Sequence, residues 1–304
     1  MIICNPASRG GRTGRGWPEV AASLRAGGLD FDVAMTTCAG EATELARGAV
    51  GEGRPLVVAA GGDGTVNEVA NGFLEVAGSG RSRSKLAVLP TGTGGDFRRT
   101  FGLPSDVREA ARVLKEGRTR RIDAAMVTCA TPDGGTCLRY FVNIASAGIG
   151  AEVMERVRRG PRVINGEVTI QVASVAALLR WRHRPMVTVI DGVRREVVAQ
   201  QVVVANCQYF AGGMRVAPTA LPDDGLLDVV IVGDVSRLEN ARGMRKFRDG
   251  TYLDENNPKI SFTRARRVEV SSSEVVRVEA DGELPGALPA TFEVLPGALD
   301  LVVP

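Results

Sequence analysis

The stretch Gly61-Gly62-Asp63-Gly64-Thr65 constrains this chain more than any other. It follows Pro55-Leu56-Val57-Val58-Ala59-Ala60, a short apolar run that reads as a buried strand. It precedes residues 66–74, where Val66, Val69, Ala70, Phe73 and Leu74 recur at helical spacing. The glycines therefore fall at a strand-to-helix turn. Three glycines in four residues permit positive φ and leave no Cβ between backbone and ligand. Amides at a helix start carry partial positive charge, which suits a phosphate. Asp63 sits oddly there, because a carboxylate repels a phosphate unless a cation or a transferable proton lies between. It is a candidate for magnesium or acid–base chemistry. The plain alternative is a tight turn with an N-capping aspartate.

Strands and helices alternate around this turn. Residues 1–4 are a short apolar strand, broken by Asn5-Pro6-Ala7-Ser8-Arg9-Gly10-Gly11, a loop with donors to spare. A helix is predicted over 17–26, a strand over 31–35 ended by Thr36-Thr37, and a helix opening at residue 40. After the glycine turn and its helix, Lys85-Leu86-Ala87-Val88-Leu89-Pro90 reads as another buried strand. Such alternation predicts a doubly wound parallel sheet with ligands at the carboxyl ends of its strands. The loops after residues 4, 60 and 90 would open on that one edge. The third of them, Thr91-Gly92-Thr93-Gly94-Gly95-Asp96, repeats the logic of the first: glycines, hydroxyls and one acid after an apolar strand. Two such turns can cradle a polyphosphate and hold a cation between their carboxylates. A capped helix over 105–116 then leads to Asp123.

From about residue 123 the pattern changes to alternating apolar segments, among them 125–129, 138–144, 186–190, 196–206, 227–232, 275–280 and 292–295. Turn signals such as Asp191-Gly192, Asp224-Gly225 and Asp281-Gly282 separate several of them. This half is expected to be an antiparallel β-sandwich interrupted by one helix near 166–180, which ends in Arg180-Trp181-Arg182-His183-Arg184. A basic, aromatic end of this kind can touch a membrane surface or simply terminate a helix with favourable charge. The expected division is an α/β domain over 1–122, with 290–304 a candidate completing segment, and a β domain over 123–289.

Composition narrows the class. The chain has 304 residues, 44% of them hydrophobic, and net charge +3, so a sizeable core is expected and disorder is not. Five scattered cysteines without a CxxC pair argue against a disulfide framework or zinc site, and one histidine excludes a His-rich metal site. No run approaches 18 uninterrupted apolar residues, so the expectation is a cytoplasmic protein, at most peripheral at the inner face of a membrane. Basic patches lack interleaved aromatics, which weighs against nucleic-acid binding.

Taken together, Asn5-Pro6 with Ser8 and Gly10, the GGDGTVNE run at 61–68, LPTGTGGDF at 89–97, PTALPDDGLLD at 218–228 and Asp281-Gly282-Glu283 resemble the diacylglycerol kinase catalytic family, which includes bacterial lipid kinases and sphingosine kinases. The resemblance spans nearly the whole chain. One departure stands out: the family's second turn usually reads GTxNDF, and here Gly95 replaces the asparagine. The resemblance implies an ATP- and Mg²⁺-dependent kinase acting on a lipid or lipid-like alcohol, with its site in a cleft between two domains. It implies that Asn5, Pro6, Ala7, Ser8, Arg9, Thr36, Gly61, Gly62, Gly64, Thr65, Asn67, Glu68 and Thr93 line the nucleotide. It implies that Asp63, Asp96 and Asp123 belong to a carboxylate and water network around catalytic magnesium. Asp281 and Glu283 match the acidic pair near the acceptor hydroxyl, Glu283 being the first choice as general base. Asp224, with the carbonyls of Leu221 and Leu226, matches a second, structural magnesium site. Such chemistry needs phosphates held, charge neutralised and a hydroxyl oriented, and little covalent help.

Other readings stay open. An NAD kinase-like enzyme shares the Gly-Gly-Asp-Gly turn, although Asn67-Glu68, residues 91–97 and the late Asp281-Gly282-Glu283 favour the lipid-kinase group. A nucleotide-binding regulator without turnover rests on Gly95 alone. The exposed strands of a β domain can also pair two copies into a homodimer.

Overall fold

Four short parallel strands and the helices between them build the first of two units in the computed structural model, which describes all residues except 79–81, 93–94, 161–165 and 255–256. This unit comprises Met1–Asp123 and Gly297–Pro304. Its elements are β1 (Ile2–Cys4), α1 (Arg12–Ala26), β2 (Val33–Met35), α2 (Glu41–Gly51), β3 (Leu56–Gly61), α3 (Asp63–Ala77), β4 (Lys85–Pro90), α4 (Asp96–Phe101) and α5 (Val107–Glu116). The strands pair in the order β4–β3–β1–β2, all parallel. Leu301, near the end of the chain's last strand, extends the sheet by pairing in parallel with Leu86. Alternate residues face two layers, as the pleat requires. Ile2, Cys4, Val58, Ala60, Ala87 and Leu89 pack with Trp17 and Leu24 of α1 and Leu114 of α5. Ile3, Val57, Ala59 and Leu86, also buried, alternate with them and point to the opposite face. The register sets Cys4 beside Ala60 and Gly61 beside Pro90, so β1, β3 and β4 end together. Helix α1 starts five residues before the expected 17. Gly14 makes this possible, because a Cβ there would lie 2.9 Å from the Pro6 side chain, and close packing outweighs the poor helix propensity of Gly14 and Gly16.

The second unit, Ala124–Pro296, is antiparallel. It holds β5 (Thr119–Ala130, entering from the first unit), β6 (Thr136–Phe141), β7 (Ile144–Gly148), α6 (Ile149–Arg159), α7 (Gly166–Arg180), β8 (Arg184–Ile190), β9 (Val193–Ala199), β10 (Gln201–Ala205), β11 (Leu227–Val232), α8 (Arg237–Asp249), β12 (Ile260–Ala265), β13 (Arg267–Ser271), β14 (Arg277–Ala280) and β15 (Glu283–Val302, leaving into the first unit). Strands run in the order β12–β11–β10–β7–β14–β15, and β15 also pairs with β13, which leads to β8 and β9. One core gathers Phe141, Phe292, Met186, Leu227, Val268 and Val278. A second packs Val230 and Val203 against Val216 and Tyr252, whose ring stacks on Phe247 at 4.3 Å. Two strand expectations are corrected. The run 196–206 is two strands that turn at Gln200, and 138–144 is broken between Phe141 and Ile144. Three helices stand where one was expected. Helix α8 has a capping box, Ser236 accepting from the Glu239 amide while Glu239 accepts from Ser236, a signature present in the sequence.

Candidate active site

The two glycine turns of the first unit touch backbone to backbone. The Gly92 amide donates to the Gly61 carbonyl at 2.9 Å, and a Cβ on Gly92 would run into the Gly62 backbone. Asp63 fastens the pair. Its Oδ2 accepts from the amides of Gly95 at 2.8 Å and Asp96 at 3.2 Å, and its Oδ1 from Phe97 at 3.3 Å. The carboxylate that begins α3 thus caps the start of α4. Gly95 has φ +140°, a conformation that L side chains rarely adopt, so the departure from asparagine matches the local backbone. Asp96 is buried and its Oδ1 accepts from Arg99 Nη1 at 2.7 Å. Asp63 and Asp96 therefore lie on one edge of the sheet.

The other first-unit residues divide into those around the turns and those within the scaffold. Asn5 donates from Nδ2 to Thr65 Oγ1 at 3.2 Å and accepts the Ala7 amide at 3.0 Å. Its loop runs through Pro6, Ala7 and Ser8 to Arg9, Gly10 and Gly11, three successive residues with positive φ. Helix α1 then starts with no acidic residue in its first turn and no side-chain cap, and its first amides are taken by loop carbonyls, Thr13 donating to Ser8 at 3.3 Å and Gly14 to Pro6 at 3.1 Å. Thr13 anchors this loop by donating to the Thr91 carbonyl at 2.8 Å. A Cβ on Gly61 would meet Thr65, whereas nothing lies within 4 Å of one on Gly64, so that side of the turn is open. Thr36, buried, donates its amide to the Cys4 carbonyl where β1 ends. Asn67 is buried inside α3 and accepts from Asn71 Nδ2. Glu68 accepts the Ala42 amide at 3.2 Å, tying α3 to the start of α2. Asp123 is buried and accepts the Gly297 amide at 2.7 Å, where the chain returns to this unit. Thr93 lies outside the described residues.

In the second unit Asp281, at φ +48°, accepts from three consecutive amides: Val142 at 2.8 Å, Asn143 at 3.1 Å and Ile144 at 2.8 Å. This is the break between β6 and β7. Glu283 accepts from Arg139 Nη2 at 2.9 Å, with Arg139 Nε 2.8 Å from its other oxygen as an ion pair, and its side chain is 42% exposed. Beneath them lies Glu279, which sequence reasoning did not single out. It accepts from the Gly282 amide at 2.7 Å and from Ser146 Oγ at 3.1 Å. Burial pushes its carboxyl up from 4.5 to about 7. By strand alternation with Val278 and Ala280 it reads as outward-facing. It is buried because the sheet face it occupies is covered by α6.

Leu221, Asp224 and Leu226 stand apart from that turn in sequence. Asp224 Oδ1 accepts the Leu226 amide at 3.0 Å, and its Oδ2 lies 3.6 Å from Arg264 Nη1. Arg264 Nε also lies 3.2 Å from the buried Asp228, and its Nη2 donates to the Thr219 carbonyl at 2.9 Å. A guanidinium therefore already supplies the positive charge a resident magnesium would bring, and this turn does not fit such an ion. Among the described residues no group of three or more His, Cys, Asp or Glu side chains could cage a metal. Carboxylates at the edge of the parallel sheet fit magnesium only in its usual mode, one or two acids supplemented by waters and phosphates.

A parallel α/β unit with paired glycine turns, continued by an antiparallel β unit with an acidic turn, defines a kinase-type phosphotransferase. Residues 1–127 match the model of the diacylglycerol kinase catalytic domain, and residues 143–303 match the YegS C-terminal NAD kinase beta sandwich-like domain. The chain belongs to the diacylglycerol kinase family, whose members transfer phosphate to an alcohol group. It is 30% identical over 304 residues to a diacylglycerol kinase of Bacillus subtilis (strain 168), covering 100% of this chain and 95% of that protein. It is 29% identical over 303 residues to one of Staphylococcus carnosus (strain TM300), covering 100% and 94%. Among solved structures, a diacylglycerol kinase of Bacillus anthracis str. Sterne superposes with TM-score 0.73 at 24% identity, covering 100% of this chain and 96% of that one. Yeast NADH kinase, complexed with NADH, shares the fold at TM-score 0.55 and 12% identity, covering 100% and 82%. No helix among the described residues is long and apolar enough to cross a membrane.

Proposed function

We propose that this protein transfers the γ-phosphate of ATP to the hydroxyl of a diacylglycerol-type lipid, with Mg²⁺ brought in on the nucleotide phosphates. The observation that carries the reading is the Asp63-fastened pair of glycine turns at the carboxyl edge of a parallel sheet, in a chain of this family. The loop of Asn5, Pro6, Ala7, Ser8 and Arg9 and the open side of Gly64 border the phosphates, although the amides of Asn5, Ala7 and Ser8 already donate within the protein. Thr36, Gly61, Gly62 and Thr65 complete the nucleotide edge, and Thr93 is assigned to the nucleotide from the sequence alone. Asn67 and Glu68 hold α3 in place rather than meet the ligand. Bound magnesium would neutralise charge developing on the phosphates, and Asp96 and Asp123 are the acids that would hold its waters.

On the acceptor side Asp281 shapes the turn and Glu283 takes the hydroxyl proton. Glu283 is assigned this role over Glu279 because its carboxylate is accessible, whereas Glu279 is 5% exposed. Arg139 fixes the direction of that carboxylate. The test is transfer from labelled ATP to diacylglycerol, sphingosine and phosphatidylglycerol in mixed micelles, with NAD as a separate acceptor. Label on diacylglycerol supports the reading. Label on NAD alone moves the protein to the activity of its structural neighbour, and label on none overturns it.

A further inference from the structure

Three acids surround the turn between β14 and β15, and they are met differently. Asp281 accepts three backbone amides, and Glu283 lies beside the Arg139 guanidinium. Glu279 is buried and receives two neutral donors, the Gly282 amide at 2.7 Å and Ser146 Oγ at 3.1 Å. The turn itself is tight. Asp281 and Gly282 have φ of +48° and +88°, and Ala280 pairs with Glu283 across them. An aspartate at positive φ is strained, and its three amides hold it there. Glu279 holds the next residue, so the two acids share one backbone segment. Gly150, at the start of α6, makes room for the contact. A Cβ there would fall 2.7 Å from Ser146 Oγ and 3.2 Å from Gln201 Nε2, a buried donor without a partner among the described residues.

A glutamine would make the same two contacts with no charge to desolvate, its carbonyl accepting from Gly282 and its amide donating to Ser146. The acid adds one property, a proton that can leave. Burial, and after it the charge of Asp281, outweigh the two hydrogen bonds and raise the carboxyl from 4.5 to about 7. The other charged groups around it are engaged with one another. On α6 Glu152 pairs with Arg156 at 2.8 Å, and Glu155 with Arg158 at 3.1 Å and Arg159 at 2.6 Å. Arg277 of β14 lies 3.9 Å from Glu155. Asp281 is the charge that acts on the Glu279 proton.

We propose that Glu279 is a positioning residue: its neutral form holds the acceptor turn through the Gly282 amide, and loss of its proton sets a second charge beside Asp281, shifts that turn and slows transfer. The effect on transfer rests on the phosphotransfer reading, whereas the coupling of the turn to the proton does not.

The test has a spectroscopic and a kinetic arm. The Gly282 amide resonance should titrate with a midpoint near pH 7 in the unmodified protein and stay flat in Glu279→Gln. Ser146→Ala, which does not depend on the folding of that variant, removes a hydrogen bond that favours the charged form and should move the midpoint up. With labelled ATP, kcat for diacylglycerol should fall above pH 7 by about tenfold per unit, and Glu279→Gln should lack that fall. Ionisation of ATP is common to both proteins and cancels in the comparison. Glu279→Ala, which leaves the Gly282 amide bare, should be slow at every pH. A Gly282 resonance that does not titrate in the unmodified protein overturns the proposal. So do superimposable pH–rate profiles of the unmodified protein and Glu279→Gln, which would make Glu279 a residue of the fold alone. Titration of Gly282 without transfer to any alcohol supports the proton-linked turn and sinks the phosphotransfer reading instead.

Discussion

At the scale of single residues the acids of this molecule are first of all fasteners. Asp63 and Asp281 each accept three backbone amides, and Asp123 accepts one. Stranding such a donor costs about 1–3 kcal/mol. Asp63→Ala is therefore expected to lower the urea midpoint together with phosphotransfer, and Asp63→Asn, which keeps one acceptor oxygen, to recover part of the stability. An inactive Asp63→Ala with an unchanged midpoint would return the residue to chemistry alone. Glu279 makes a pH prediction. Its folded pKa, about 7, lies above its ordinary 4.5, so the folded state binds the proton more tightly. That contribution is fully present below about pH 4.5 and is lost as pH rises through 7. The shift corresponds to something on the order of 3 kcal/mol between the two limits, at about 1.4 kcal/mol per unit. Glu279→Gln cannot ionise and keeps an acceptor for the Gly282 amide. Its melting temperature should match that of the unmodified protein at pH 4.5 and exceed it by several degrees at pH 8, and parallel pH profiles would refute the buried-carboxyl account.

At the scale of elements, contacts between segments distant in sequence decide what a turn does. The strand–turn–helix around residue 61 and the repeat of its logic at residue 92 were legible, because periodicity and glycine are local signals. The fastening of one turn to the other was not, since Asp63 and the Gly95 amide are 32 residues apart. Asp281 and Val142 are 139 apart, so a turn and, by resemblance, an acidic pair were visible at Asp281-Gly282-Glu283, but not the three amides that Asp281 gathers. The box of Ser236 and Glu239 at the start of α8 is a local signal, but the helix it opens was not among the expected elements. Nothing local tied Arg264 to Asp224 and Asp228, which it reaches from the neighbouring strand β12. This arrangement predicts that magnesium and chelators leave the melting temperature unchanged in the absence of nucleotide. Arg264→Ala strands the buried Asp228 and should cost about 1–3 kcal/mol, Arg264 being partly exposed. If magnesium restores that variant, the acidic turn accepts a cation once the guanidinium is gone. If the unmodified protein loses stability to a chelator, a resident ion is present after all.

At the scale of the whole molecule, the chain leaves its first unit at Asp123 and comes back to it at Gly297. The return is held by the Asp123 carboxylate on the Gly297 amide and by Arg121 beside Asp300. It delivers Leu299, Leu301 and Val302 into the core at 2%, 0% and 2% exposure. Each such side chain contributes about 1.5–3 kcal/mol on burial. Three of them together rival the about 5–15 kcal/mol that ordinarily separates folded from unfolded protein. The proposed nucleotide edge depends on β4, whose Leu86 pairs with Leu301. Ending the chain after Pro296 should therefore remove ATP binding and label transfer although every residue assigned to the nucleotide remains. The second unit has its own cores and should keep its antiparallel signal in circular dichroism. Nucleotide-induced stabilisation grows with the logarithm of ligand concentration over its Kd, so a thermal-shift titration reads the loss directly. A truncated chain that still gains stability from ATP would show that the first unit holds its sheet without the returning strand.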